Sequence, residues 1–547
     1  MREIFEVFVT LFFGPDNTHT GRALAGFRGD LTMARRAGGR QARHAQRSAP
    51  LEEAIKPVRP GERGGRYHPF TDQDLEAIVE NIYRILEEVG FKDATPHCIE
   101  TCEAMGAVLG DDGRLRMPRA VVDTALKHAK RNLILHAQDP EFDLDLSGSR
   151  VHFATAGAAV MIADSIKNEY RDSTTRDLYD LARIADNCEH IHMFQRMCVL
   201  RDLENTYEMD LNTTYCCVAG TRKHVGASWS NCDHLGKALE MLHIIAGGEA
   251  AWRARPFVSQ SNCFVVPPMK FAQEALECLR VAVEGGMPVL LLSAGQAGAT
   301  TPATLAGAVS QAWAECIGGL VYVNAIEPGA PAIIGAWPFV SDLRTGAMSG
   351  GSPEQGLISS GCAQLGLYFD LPFGTACGMT DANMPDFQAG AERAHTLMPP
   401  ALAGSNLIYE AAGMYSSLLG VCPESLILDN DVLGATLRAV RGIEVNEKTL
   451  GFDDLAQVCL GDKGHYLGSD HTLAVMQSEY LYPEVGNRFS PTVWEASDKP
   501  LAIDNAIRTR DHILATYVPT HIPPKVDAEI RAKFPIRLMT EDLVVSA

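Results

Sequence analysis

Residues 288–337 read PVLLLSAGQAGATTPATLAGAVSQAWAECIGGLVYVNAIEPGAPAIIGAW, and this stretch decides the fold. Pro288 to Ala294 and Ala332 to Trp337 are short apolar runs of strand length. Between them Thr301 to Val323 is long enough for one crossover helix. A strand, a helix and a second strand in that order form a βα unit, because parallel strands need such a crossover. Gly295-Gln296-Ala297-Gly298 makes the tight turn from strand to helix. It lacks the Lys of a phosphate loop and the spacing of a dinucleotide fingerprint, so Gln296 is its candidate for substrate contact.

The same alternation extends both ways. Further candidate strands are Val151 to Ala156, His190 to Met197, His224 to Ser230, Phe257 to Val265, Phe373 to Met379 and Ser425 to Asp429. With the two above, this spacing predicts a TIM (β/α)8 barrel over residues 146–435. A doubly wound open sheet is the alternative. Residues 1–50 read as a disordered or extended N-terminal arm, 51–145 as an N-terminal helical region and 436–547 as a C-terminal helical region. In the N-terminal region Leu75, Ile78, Val79, Ile82, Ile85, Leu86 and Val89 share one helical face, Thr71 with Asp74 forms a capping box, and Gly90 supplies the stop. A second helix is expected over Pro118 to Lys130, with Pro in its first turn.

A formal net charge of -20 disfavours a nucleic-acid partner, since phosphate contacts need clustered Lys and Arg. The exception, Arg35, Arg36, Arg40, Arg43 and Arg47, has no interleaved aromatics and reads as a solvated arm or a strap between copies of a homo-oligomer. The fourteen cysteines form no CxxC pair, which suits reduced thiols and a cytoplasmic protein. The start MREIFEVFVTLFF carries Glu3 and Glu6 where a signal peptide carries positive charge. Residues 1–32 therefore read as an extension, and no apolar run is long enough to span a membrane.

In a TIM barrel the residues just past the strand C-termini line the site. Here these are Thr155 and Gly157, Gln195 and Arg196, Trp229, Asn262 and Phe264, Gln296, Trp337 and Phe339, Thr380 to Pro385, and Asn430 and Asp431. The set is rich in amides, hydroxyls and aromatics rather than metal ligands. Aromatic faces attract quaternary ammonium groups, each by about 0.5–2 kcal/mol when desolvated. Trp229, Phe264, Trp337, Phe339, Phe373 and Tyr409 are thus cage candidates, although aromatics at strand ends more often just fill the barrel. The loop TDANMPDFQAG (Thr380 to Gly390) adds a polar wall of Asp381, Asn383, Asp386 and Gln388. The rival signal is His190-Ile191-His192, which on a strand would begin a metal-dependent hydrolase site with Asp431 as a later ligand. Later strand ends supply no further His, so no metal is expected.

Two segments carry a family resemblance: GATTPATLAGAVSQAWAECIGGLVYVNAIEPGAPAIIGAWPFVSDLRTGAMSGGSPE (Gly298 to Glu354) and FGTACGMTDANMPDFQAGAE (Phe373 to Glu392). With GHYLGSDHTL (Gly464 to Leu473) and SEYLYPEVGNR (Ser478 to Arg488), they are similar to the trimethylamine methyltransferase family. The resemblance implies demethylation of a methylated amine in favour of Co(I) on a separate corrinoid protein, with no cofactor bound by the chain itself. Members specific for trimethylamine carry pyrrolysine where Asn383 best matches. The departure implies a non-pyrrolysine member that demethylates a quaternary amine, glycine betaine or a similar betaine. A quaternary nitrogen already leaves as a neutral amine, so no catalytic acid is required. Arg344 is the candidate for a betaine carboxylate, with a surface ion pair as its alternative. Trimethylamine demethylation, a metal-dependent barrel hydrolase and a binding protein without chemistry are the other readings.

Overall fold

The computed structural model describes residues 56–543 apart from 462, 463 and 468. The basic run Arg35 to Arg47 and the extension 1–32 lie outside the described residues. From Pro57 onward the chain forms a single unit.

Eight strands carry it: β1 (Arg150–Thr155), β2 (Met193–Gln195), β3 (His224–Ala227), β4 (Val258–Gln260), β5 (Val289–Ser293), β6 (Ala332–Ala336), β7 (Gly374–Ala376) and β8 (Leu407–Ala412). Neighbours pair in parallel from β1 through β5 to β6, and β8 pairs with both β1 and β7. A parallel bridge between Ile334 and Phe373 joins β6 to β7 and closes the ring. Each strand is followed by a helix: α1 (Thr175–Asp186), α2 (Thr206–Gly220), α3 (Cys232–Ala246), α4 (Gln273–Glu284), α5 (Leu305–Ile326), α6 (Pro353–Phe369), α7 (Phe387–Ala403) and α8 (Pro423–Arg441). This is the TIM barrel that the alternation predicts.

Six strands fall inside their expected ranges, β1 starts one residue early at Arg150, and the eighth lies elsewhere. Ser425 to Asp429 lies within α8, whose Pro423 occupies the first turn, where a fixed φ and a missing N–H cost a helix nothing. The strand is Leu407–Ala412, so Asn430 and Asp431 are helical residues rather than strand-end residues. Asp431 instead accepts the backbone N–H groups of Glu484, Val485 and Gly486 at 2.7, 3.1 and 3.0 Å. His190 and His192 precede β2 and so sit at the barrel's N-terminal end, opposite the mouth.

Helix α5 is buried continuously from Ala308 to Asn324, and a helix apolar all round must be covered on both sides. The barrel covers one side, and the helices Asp72–Arg84, Pro96–Ala104 and Arg119–His128 pack on the other. Two adjacent glycines allow that approach. A Cβ on Gly318 would come within 2.3 Å of Phe91, and one on Gly319 within 2.5 Å of Phe264. The Thr71–Asp74 capping box forms, and the helix passes through a π turn (Ile85–Val89) before Gly90 ends it at a φ of 64°. Pro118 is the N-cap rather than part of the first turn. No helix among the described residues is long and apolar enough to cross a membrane.

At the mouth two small sheets lie on the barrel. Gln296–Ala297 pairs with Phe339–Asp342, which pairs with Ala347–Met348. Met161–Asp164 pairs with Glu169–Asp172 and with Gly420–Val421, and Gly420–Val421 also pairs with Met414–Tyr415.

Candidate active site at the barrel mouth

A cavity of about 170 Å³ opens among the strand C-termini. It is smaller than the roughly 300–1,000 Å³ clefts that take drug-sized ligands, which suits an occupant of only a few heavy atoms. Gly157 and Ala158 come from the end of β1, Gln195 and Arg196 from β2, and Ser228 from β3. Ser261 and Cys263 follow β4, Leu292 and Ala294 end β5, and Trp337 and Phe339 follow β6. Glu410 of β8 and Leu418 of the loop beyond it complete the wall.

The aromatic side is firmly held. The Trp337 indole N–H donates to the Gly374 carbonyl at 3.2 Å, and its ring lies 5.0 Å from that of Tyr409. The Phe339 backbone N–H donates to the Gly295 carbonyl at 2.8 Å. Tyr409 is buried beneath Trp337 with a hydroxyl that has no partner among the described residues. On the facing side the Gln195 carbonyl oxygen Oε1 is also buried without a partner among them. Gly226 of β3 leaves room for it, since a Cβ there would lie 1.6 Å from that atom.

Two charged side chains share the cavity. Arg196 is half-buried, and its guanidinium makes no ion pair or hydrogen bond among the described residues. Its pKa is lowered by desolvation, with Cys217, Asp210 and Cys198 pulling the other way. Burying an arginine without a partner is costly. Glu410 sits at a φ of 61°, within the register shift that separates Ile408 from Ala412 in the pairing of β8 with β1. Such bulges at barrel rims re-aim side chains, and a non-glycine residue in this region stores roughly 1–3 kcal/mol of strain. Its Oε2 accepts the Gly157 backbone N–H at 3.0 Å. Burial pushes this carboxyl up to about 8, against that one hydrogen bond.

The expected site residues separate into two groups. Trp337 and Phe339 line the cavity, together with Gly157, Gln195 and Arg196 from the strand-end reading. The remainder are engaged elsewhere. Trp229 is buried and donates through its indole N–H to Thr214 at 3.0 Å. Phe264 packs 6.3 Å from Phe271, and Phe373 stacks 5.7 Å from Trp313. The Gln296 amide oxygen accepts from Ser341 at 3.2 Å. Arg344 is 89% exposed and forms its surface ion pair with Asp342 at 2.9 Å.

The TDANMPDFQAG loop turns out to be a clasp. Asp381 accepts the hydroxyls of Ser349 and Ser417, each at 2.6 Å, which ties the loops after β6, β7 and β8 together. Asn383 accepts from Tyr170 through its backbone carbonyl and from Ser416 through its side chain, both at 2.7 Å. Gln388 donates to Glu392 at 2.8 Å. Among the described residues there is no group of three or more His, Cys, Asp or Glu side chains that could hold a metal ion.

The fold and the cavity together define a TIM barrel with a small pocket, part aromatic and part charged, at its mouth. Residues 36–540 match the trimethylamine methyltransferase (MTTB) family pattern, and the chain belongs to that family of methyltransferases. It is 31% identical over 464 residues to the trimethylamine methyltransferase MttB of Desulfitobacterium hafniense strain DCB-2, covering 85% of this chain and 92% of that one. It is 29% identical over 469 residues to the glycine betaine methyltransferase of D. hafniense strain Y51, covering 85% and 96%. The trimethylamine methyltransferase MttB of Methanosarcina barkeri is 30% identical over 402 residues, covering 72% and 80%.

Proposed function

We propose that the protein transfers a methyl group from a betaine, glycine betaine or a close analogue, to the Co(I) of a partner corrinoid protein. One observation carries the substrate class: an unpaired arginine shares a small cavity with two aromatic rings. Trp337 and Phe339 offer their faces to a trimethylammonium group, and Arg196 offers a two-pronged contact to a carboxylate. Trimethylamine has no carboxylate for Arg196, and in its protonated form it would be repelled by it. The relatives include both a trimethylamine and a glycine betaine methyltransferase, so the family leaves the substrate open, and the arginine beside the two rings supports a betaine.

The chemistry asked of the chain is modest. The C–N bond of one N-methyl group would break with its electron pair left on nitrogen, so that dimethylglycine departs as a neutral amine, while the partner's Co(I) would supply the electron pair that takes up the methyl group. The cavity is far smaller than a corrin ring, so the methyl acceptor meets the substrate from outside, at the mouth. The chain's contribution is orientation: it holds the ammonium head with one methyl toward the opening, which pre-organises the reacting atoms. Arg196→Gln tests the assignment. Glycine betaine should bind about 10- to 100-fold more weakly, matching the roughly 1.5–3 kcal/mol of a hydrogen bond to a charged group. Tetramethylammonium, which has no carboxylate and only repulsion from Arg196 to lose, should bind no more weakly, and equal losses for both ligands would remove the carboxylate from Arg196.

A further inference from the structure

We infer that Glu410 couples cation binding to proton release: a quaternary ammonium ion entering the cavity displaces one proton from the Glu410 carboxyl into solvent. In that step the O–H bond breaks, its electron pair stays on the carboxylate oxygen, and the proton passes to water or buffer. The inference rests on the reading of this cavity as a quaternary-ammonium site.

Glu410 is placed for the role by the backbone. The bulge in β8 and a φ of 61° set its carboxyl in the cavity wall. Only Oε2 is satisfied, by the Gly157 N–H at 3.0 Å, and Oε1 makes no hydrogen bond among the described residues. Gly157 keeps that oxygen clear, since a Cβ there would stand 3.1 Å from it. One backbone N–H does not offset the cost of ionising a carboxyl away from water, and burial accordingly pushes the group up to about 8.

The charged and titratable groups around the cavity do not change this balance. Arg196, from β2, is not among the groups that shift Glu410. Cys263, beyond β4, is open to the cavity yet enclosed by the barrel mouth, and desolvation pushes its thiol up to about 12, so it stays neutral. The walls from β1, β3, β5, the loop after β6 and the loop after β8 supply small, aliphatic, hydroxyl and aromatic residues. The empty cavity at pH 7 therefore holds a neutral Glu410. A permanent cation favours the ionised form and lowers its pKa below the empty-site value. Between the lowered value and about 8 the complex carries one proton fewer than the free protein, so affinity rises about tenfold per pH unit and levels off above pH 8.

Calorimetric titration of the full chain at pH 7, in two buffers of different ionisation enthalpy, counts the protons released. The probes are glycine betaine, tetramethylammonium and 3,3-dimethylbutanoate, the carbon isostere that keeps the carboxylate and lacks the cation. Both cationic probes should release close to one proton, and the isostere none. In Glu410→Gln, which keeps the neutral shape of the empty site, the release should vanish and the pH dependence flatten. Glu410→Asp should retain a measurable release, which guards against a fold defect in the first variant. Zero release on cation binding to the unaltered chain, undiminished release in Glu410→Gln, or failure of both cations to bind overturns the inference. Proton release without methyl transfer from glycine betaine would leave it standing while the proposed reaction fell.

Discussion

In the proposed complex Arg196 meets the carboxylate and Trp337 the cation, so each substitution should fail in its own way. Trp337→Ala should weaken glycine betaine and tetramethylammonium by about 1–2 kcal/mol, while 3,3-dimethylbutanoate loses less. Titration of the three ligands checks this, and equal losses for all would make the ring a packing residue against Tyr409, which it touches at 5.0 Å. The sequence placed Arg196 at a strand end but gave the carboxylate to Arg344. Both are arginines beside turns, and only the fold shows that Asp342 holds Arg344 at the surface while Arg196 faces a cavity without a partner. Glu410 was missed for a related reason. A lone carboxylate inside the apolar run LIYEAA is a usable signal, since charged residues are almost never fully buried unless paired, but it depends on recognising that run as a strand.

At the scale of elements, the alternation of short apolar runs and helix-length stretches was enough to locate seven strands and the barrel. The eighth was lost because two short apolar segments, Leu407 to Ala412 and Ser425 to Asp429, compete for one strand, and periodicity cannot separate them over so few residues. Pro423, at the first turn of a helix, was the signal that would have decided it. The loop clasp was invisible for another reason: Asp381 and Asn383 look like a polar wall in sequence, and their partners Ser349, Ser416 and Ser417 are distant in the chain. The same corner depends on Arg393 of α7, which pairs with Asp429 of α8 at 2.8 Å and donates to the Met414 carbonyl at 2.9 Å and to the Gly378 carbonyl. Both ends of this pair are buried, so Arg393→Ala leaves an unpaired carboxylate and should cost about 3–5 kcal/mol. Denaturant unfolding measures the loss, and a change below about 1 kcal/mol would show that the pair behaves as a surface contact.

Across the whole molecule, the barrel buries its apolar residues, as do Ile513, Ile530 and Phe534 of the C-terminal region, while the segment 443–467 leaves several exposed. Ile443, Val445, Leu450, Phe452, Leu460 and Leu467 are each at least 70% exposed within 25 residues of chain, and large exposed apolar side chains in such number mark interaction surfaces. The expected outcome is self-association of the chain, which fits the homo-oligomer reading of the sequence. Sedimentation of the full chain should show a species larger than 59.3 kDa, and Phe452→Asp with Leu460→Asp should shift it toward the monomer. A monomer at all concentrations would remove that role from the surface.

The central claim is that the mouth of this barrel presents a betaine methyl group to cobalt. Its most direct measurement is methyl-cobalt formation on the partner corrinoid protein, reduced to Co(I) and followed spectroscopically. Glycine betaine, proline betaine, carnitine and trimethylamine are supplied at equal concentration. The arrangement of Arg196, Trp337 and Phe339 predicts turnover of a betaine and essentially none of trimethylamine. Turnover of trimethylamine alone would contradict it.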